Sequence, residues 1–164
     1  MNSSIILNLS QESQHIPTLA AWHHQEWAHL NPGGTLEKRI AKMQTYLDVA
    51  LVPSTYIYKQ DDQLAGSAAL IACDMDTRPE LTPWLASVFV SPPFRRQGIG
   101  SALVRYAMLQ AKLAGLDTLY LFTPDQAGFY AKLGWQTLSE ESYRGCDITL
   151  MHVHLADWTA RSFS

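Results

Sequence analysis

Much of what would mark a specialised protein is missing from this chain. Only two cysteines occur in 164 residues, Cys73 and Cys146, far apart and in no metal or redox spacing. That excludes a disulfide framework and a zinc ribbon, and both are read as reduced thiols of a cytosolic protein. No apolar run approaches the roughly 18 residues a membrane span needs. The start, Met1-Asn2-Ser3-Ser4, lacks the charged head and apolar core of a secretion signal. Basic residues form no long run and the net charge is −3, which argues against nucleic acid as a partner. Charged residues are 16% of the chain and hydrophobic ones 47%, a balance that excludes disorder and supplies a core. A single cytoplasmic domain over residues 1–164, off the membrane, is the expectation.

Periodicity supplies the elements. Ser3 to Leu9 reads as a strand, and Pro17 opens a helix to about Leu30 with Ile16, Leu19, Ala20, Trp22 or His23, and Trp27 on its apolar face. Asn31-Pro32-Gly33-Gly34 breaks the chain, and Thr35 caps a second helix to about Ala50, carrying Leu36, Ile40, Met43 and Leu47. Thr55–Lys59 and Gln63–Cys73 read as strands about the turn Gln60-Asp61-Asp62, followed by an acidic loop to Pro83. Trp84–Val90 is a buried strand, and Ile99, Leu103, Tyr106 and Leu113 recur at helical spacing until Gly115. Thr118–Phe122, a short helix Gln126–Leu133 capped by Asp125, and an antiparallel pair, Trp135–Leu138 with Asp147–Leu155, complete the chain.

Between the fourth strand and its helix lies Val90-Ser-Pro-Pro-Phe-Arg95-Arg96-Gln97-Gly98-Ile99-Gly100-Ser101. A helix start offers unpaired N–H groups and the positive end of the dipole, glycine admits an anion without a Cβ, and two arginines add charge. This is a phosphate-binding turn, with neither P-loop nor dinucleotide spacing. The pattern Arg95-x-x-Gly98-x-Gly100 resembles the pyrophosphate motif of the GNAT superfamily of acetyl-CoA-dependent N-acetyltransferases, [RQ]-x-x-G-x-[GA]. Phe129-Tyr130-Ala-Lys-Leu133-Gly134-Trp135 resembles that family's second motif, F-Y-x-x-x-G-[FWY]. The resemblance runs from Trp84 to Leu155; ahead of it only the order of elements agrees.

The resemblance implies an α/β fold, the GNAT acyl-CoA N-acyltransferase fold, with a mixed central sheet of about seven strands and four helices. It implies acetyl-CoA as cosubstrate, held by the main chain of Val88, Phe89 and Val90 and by Arg95, Arg96, Gln97, Gly98, Ile99, Gly100 and Ser101. Tyr130 is then the catalytic proton donor to the departing thiolate, with Phe129 and Leu133 burying the short helix. The activity implied is acetyl transfer to a primary amine of a small molecule or peptide, by direct attack in a ternary complex. A non-catalytic acetyl-CoA sensor is the alternative from another class.

The general base stays open. Many members carry a glutamate on the fourth strand, where this chain has Trp84, Leu85, Ala86 and Ser87. Asp74, Asp76 and Glu80 in the acidic loop, and Glu26, His23 and His24 on the first helix, are candidates that no spacing separates. The acidic loop and net charge favour a cationic amine. Thr123-Pro124-Asp125-Gln126 reads first as a helix cap, and its resemblance to a turn in a branch that acetylates peptide N-termini supplies a peptide N-terminus as the alternative substrate. The histidines of Trp22–His29 lack H-E-x-x-H spacing, and His152 with His154 shares a strand face without a third ligand, so no metal is expected. The chain is expected as a monomer or a homodimer.

Overall fold

The computed structural model describes residues 3–47 and 50–159. Seven strands, β1 Ser4–Asn8, β2 Ser54–Gln60, β3 Gln63–Ile71, β4 Trp84–Val90, β5 Thr118–Thr123, β6 Gln136–Tyr143 and β7 Cys146–His154, make one sheet in the order β1-β2-β3-β4-β5-β7-β6. Every neighbouring pair is antiparallel except β4 and β5, which run parallel. The helices are α1 Ile16–Trp27, α2 Leu36–Gln44, α3 Ile99–Leu113 and α4 Ala127–Ala131. This is the mixed sheet with four helices expected.

Alternation along the strands sends residues to two faces. On β2, Tyr56 packs with Leu103, Ala107 and Met108 of α3, while Ile57 packs with Leu19 and Ala20 of α1 and Met43 of α2. The buried residues of α1 are Ile16, Leu19, Ala20 and His23, a stripe at i, i+3, i+4 and i+7. His23 therefore holds the core position for which Trp22 competed, and Trp22 is half-buried.

Several boundaries differ from expectation. The first helix passes into a 3₁₀ turn over Ala28–Leu30, where the side chain of Asn31 donates to the carbonyl of Trp27 at 2.9 Å. The second helix ends at Gln44 because Thr45 turns its hydroxyl back onto the carbonyl of Lys42 at 2.6 Å; Asp48 and Val49, in its expected tail, lie outside the described residues. Thr35 does cap α2, accepting from the amide of Lys38 at 3.1 Å. Asp125 does not cap α4: Thr123 Oγ1 accepts from the amide of Gln126 at 2.9 Å. The sixth strand is longer than read, running to Tyr143, and the seventh keeps its length but lies one residue earlier, Cys146–His154.

Two irregularities in β4 shape the centre. Ser67 pairs with Phe89 and Ala69 with Ala86, so two steps on β3 face three on β4. The extra residue is a bulge, with Ser87 at φ +54°. Beyond it β4 and β5 separate: their ladder consists of the single pair Trp84–Tyr120. No helix among the described residues is long and apolar enough to cross a membrane.

Candidate active site

The separation of β4 from β5 opens a cavity of about 850 Å³ through the middle of the sheet. Its floor is the free edge of β4 from Leu85 to Val90 and the facing end of β5 from Leu121. One end is closed by the turn into α3 and by α4, the other by α1, α2, the loop after β3 and the β6–β7 turn.

At the first end the chemistry is main-chain. Gly98 is the N-cap of α3 in a left-handed conformation, φ +78°, and contributes no capping side chain. The first amide to close a helical bond is that of Ala102, onto the carbonyl of Gly98 at 3.0 Å. The amides of Ile99, Gly100 and Ser101 are thus left by the helix without partners, and all three residues line the cavity. Arg95 Nε donates to the carbonyl of Val90 at 2.8 Å and its guanidinium lies 5.6 Å from the Phe89 ring centre. It pins the free end of β4 while holding positive charge beside the helix start.

The second motif meets the first here. A Cβ on Gly100 would lie 3.5 Å from Phe129 Cζ and 3.6 Å from Val90 Cγ2, so the aromatic of α4 already covers that glycine. The packing differs from the expected Phe129–Leu133 side: Tyr130 and Leu133 are the buried pair and Phe129 is half-buried. Loss of hydration, with the Asp125 charge second, pushes the Tyr130 phenol up from its ordinary value, so it keeps its proton at neutral pH.

Three polar groups hold the bulge. Ser67 Oγ donates to the carbonyl of Ser87 at 2.8 Å and lies 2.8 Å from His23 Nε2. The serine's proton is committed to the carbonyl, so the histidine must be the donor in that contact. Its ring is a neutral Nε2–H tautomer, in keeping with burial that pulls its pKa down to about 3. His23 supports the strand edge.

At the second end the chemistry is side-chain. Glu26, Arg39, Lys42, Asp74, Tyr143 and Arg144 line the wall. Asp74 is the acidic-loop residue that reaches the cavity; burial raises its carboxyl to about 6 against the pull of Lys42, Arg39 and Arg144. Asp76 and Glu80 do not line it: Asp76 pairs with Arg144 at 2.8 Å and Glu80 with Arg78 at 3.3 Å. Arg144 also donates to the carbonyl of Leu30 at 2.7 Å, tying the β6–β7 turn to the end of α1.

Of the residues predicted from sequence, Val88, Phe89, Val90, Arg95, Arg96, Gly98, Ile99, Gly100, Ser101 and Tyr130 line this one cavity, and Gln97 does not. His24 is also outside it, as are Cys73 and Cys146. Sequence reasoning missed Arg39, Lys42, Tyr143 and Arg144, which carry no spacing signal because the fold alone brings α2 and the β6–β7 turn together. His152 and His154 have ring centres 5.0 Å apart and do not line the cavity.

Comparison with known proteins agrees with this architecture. Residues 53–137 match the model of the acetyltransferase (GNAT) domain. A curated relative, the uncharacterized N-acetyltransferase ycf52 of Gracilaria tenuistipitata var. liui, is 28% identical over 107 residues, covering 63% of this chain and 56% of that one. The chain thus spans little more than half of that relative's length. An N-acetyltransferase from Staphylococcus aureus Mu50 superposes with a TM-score of 0.69 at 17% identity, over 93% of this chain and 99% of that one. The protein yncA of Salmonella typhimurium, solved with its cofactor acetyl-CoA, gives 0.67 at 15% identity over 96% of both chains. With the family model covering more than half of its residues, the chain belongs to the GNAT family of acetyltransferase domains.

Proposed function

We propose that this domain transfers an acetyl group from acetyl-CoA to a primary amine by direct attack in a ternary complex. The observation that carries it is the single-pair ladder between β4 and β5, which leaves a strand edge free beside an uncapped helix start. A free edge accepts an extended amide-bearing chain as an added strand, and open amides at a helix start accept a diphosphate. The residues present therefore fit coenzyme A. Val88 and Val90 offer the edge, Ile99, Gly100 and Ser101 the amides, and Arg95 and Arg96 the neutralising charge.

Bound acetyl-CoA supplies the activated carbonyl and a thiolate leaving group. The chain's own groups do the rest. Main-chain N–H groups at the bulge stabilise charge on the carbonyl oxygen. Tyr130, kept protonated by burial, donates to the departing sulfur and is restored by the second proton that the amine nitrogen sheds as the amide forms. The proton of the incoming ammonium goes to Asp74, the half-buried carboxylate at the cavity's other end, since β4 offers only Trp84, Leu85, Ala86 and Ser87. Neither cysteine lines the cavity, which supports direct transfer over an acyl-enzyme.

Thiol release from acetyl-CoA with a panel of primary amines tests this. Tyr130→Phe is expected to slow release about a hundredfold while coenzyme A binds as before. Calorimetry that finds no coenzyme A binding sinks the site; tight binding without release by any amine leaves the alternative, an acetyl-CoA sensor.

A further inference from the structure

The second end of the cavity carries charge of both signs that the protein itself does not pair. Arg144 is satisfied by Asp76 and the carbonyl of Leu30. Arg39 is not: its Nε is buried and has no hydrogen-bond partner. Loss of hydration pulls its guanidinium down from the ordinary value, which Asp74 only partly offsets. The Trp27 ring lies 6.0 Å from the guanidinium carbon, and Asp74, Tyr46 and His23 lie within its electrostatic reach. Lys42, three residues further along α2, lines the same wall. Neither cation lies within 4.0 Å of Asp74 as an ion pair.

The Arg39 Nε is closed off from solvent, so a ligand in the cavity meets the guanidinium at its terminal nitrogens, whose charge no carboxylate of the described residues pairs within 4.0 Å. The guanidinium fork matches a carboxylate, and a neighbouring ammonium adds to it as a point charge. Asp74 and Glu26, on the same wall, are the complement of an ammonium group. A polyamine would satisfy the two carboxylates but would set its own charge against Arg39 and Lys42. The acidic loop that favours a cation in the sequence has Asp76 and Glu80 already neutralised by arginines.

We infer that the acceptor is an amino carboxylate, an amino acid or a similarly small zwitterion, with its carboxylate on Arg39 and Lys42 and its amine toward Asp74. This rests on the acetyltransferase reading above and names the class of amine it takes.

The test separates binding from turnover. The protein saturated with coenzyme A is titrated calorimetrically with the standard amino acids, with matched amines lacking the carboxylate, such as tyramine, histamine and isoamylamine, and with spermidine. At least one amino acid is expected to bind about tenfold or more tighter than its decarboxylated partner. Arg39→Gln is expected to erase that preference without changing coenzyme A affinity, and Arg39→Lys to restore part of it. Equal binding of both members of every pair, a preference for spermidine, or a preference that survives Arg39→Gln each overturns the inference. Thiol release is read separately. Amino acids that bind without release sink the transfer reading and leave the carboxylate site standing; release with carboxylate-free amines alone sinks the acceptor class and leaves the transfer reading.

Discussion

The two ends of the cavity are built from different materials. Around β4 and the start of α3 the working groups are main-chain amides, made available by a bulge at Ser87 and a left-handed Gly98. Around α2 and the β6–β7 turn they are charged side chains, Arg39, Lys42, Asp74 and Arg144. A main-chain site depends on backbone shape and tolerates change in the side chains that point elsewhere. A side-chain site depends on charge and can be rewritten residue by residue on the same backbone. The first suits a cosubstrate common to a family, the second an acceptor that differs between members.

The contrast is tested most severely by exchanging charge at one end and shape at the other. Asp74→Asn keeps shape and removes the proposed proton acceptor; kcat/KM for the amine is expected to fall about a hundredfold with coenzyme A affinity unchanged. Native kcat/KM should rise with pH through about 6, where the raised Asp74 carboxyl ionises, and the variant should lack that limb. The groups facing Asp74 are Arg39, Lys42 and Tyr46 from the α2 side and Tyr143 and Arg144 from the β6–β7 side. Because folding raises this carboxyl above its ordinary 3.8, the folded state takes up its proton first, and the group lowers stability as pH climbs through 6. Asp74→Asn should therefore melt higher than the native protein at pH 7. An unchanged pH profile would remove Asp74 from the mechanism, and a lower melting temperature would mean that Lys42, Arg39 and Arg144 more than offset the burial of its charge.

Gly98→Val makes the opposite exchange. A Cβ there meets nothing within 4 Å, so the cost is not crowding but the φ of +78°, which for a β-branched residue is on the order of 1–3 kcal/mol. If the open amides are the coenzyme site, affinity for coenzyme A falls about 10- to 100-fold while the pH limb set by Asp74 is kept. Gly66→Ala differs in kind: its Cβ would lie 2.5 Å from the carbonyl of Phe89, so β3 and β4 must part and stability falls by about 1–3 kcal/mol.

The same division explains what could be read without a structure. Main-chain function needs particular residues at fixed local spacing: Gly98 and Gly100 after a strand, and an aromatic at 129 that covers Gly100. Those signals are local, so this end and the succession of strands and helices along the chain were legible. The other end is assembled from segments far apart in the chain, as when Arg144 reaches the carbonyl of Leu30. No periodicity encodes that meeting. Asp74, Asp76 and Glu80 look alike in sequence and differ only in that two of them find arginines. His23 was undecided for a related reason: its stripe position on α1 was visible, but its partner Ser67 lies 44 residues away.

His23 and Ser67 sit at the join of the two ends, and Ser67→Ala is the finest test of whether they are separable. The hydroxyl takes one hydrogen bond from His23 and gives one to the carbonyl of Ser87, in a site with no exposure of Ser67. Its loss orphans a buried donor and a buried acceptor, and a stability loss of about 1–3 kcal/mol is expected. The β3–β4 ladder is continuous on both sides of the bulge, with Gly66 opposite Val90 and Leu70 opposite Leu85, so the strand stays in place while the Ser87 turn loosens. Coenzyme A affinity and amine kcat/KM should then fall together, each about tenfold, because the bulge orients the strand edge at one end and backs the α1 wall at the other. A loss of stability with both constants unchanged would mean that the ladder alone sets the bulge, and that the histidine contributes packing but no alignment.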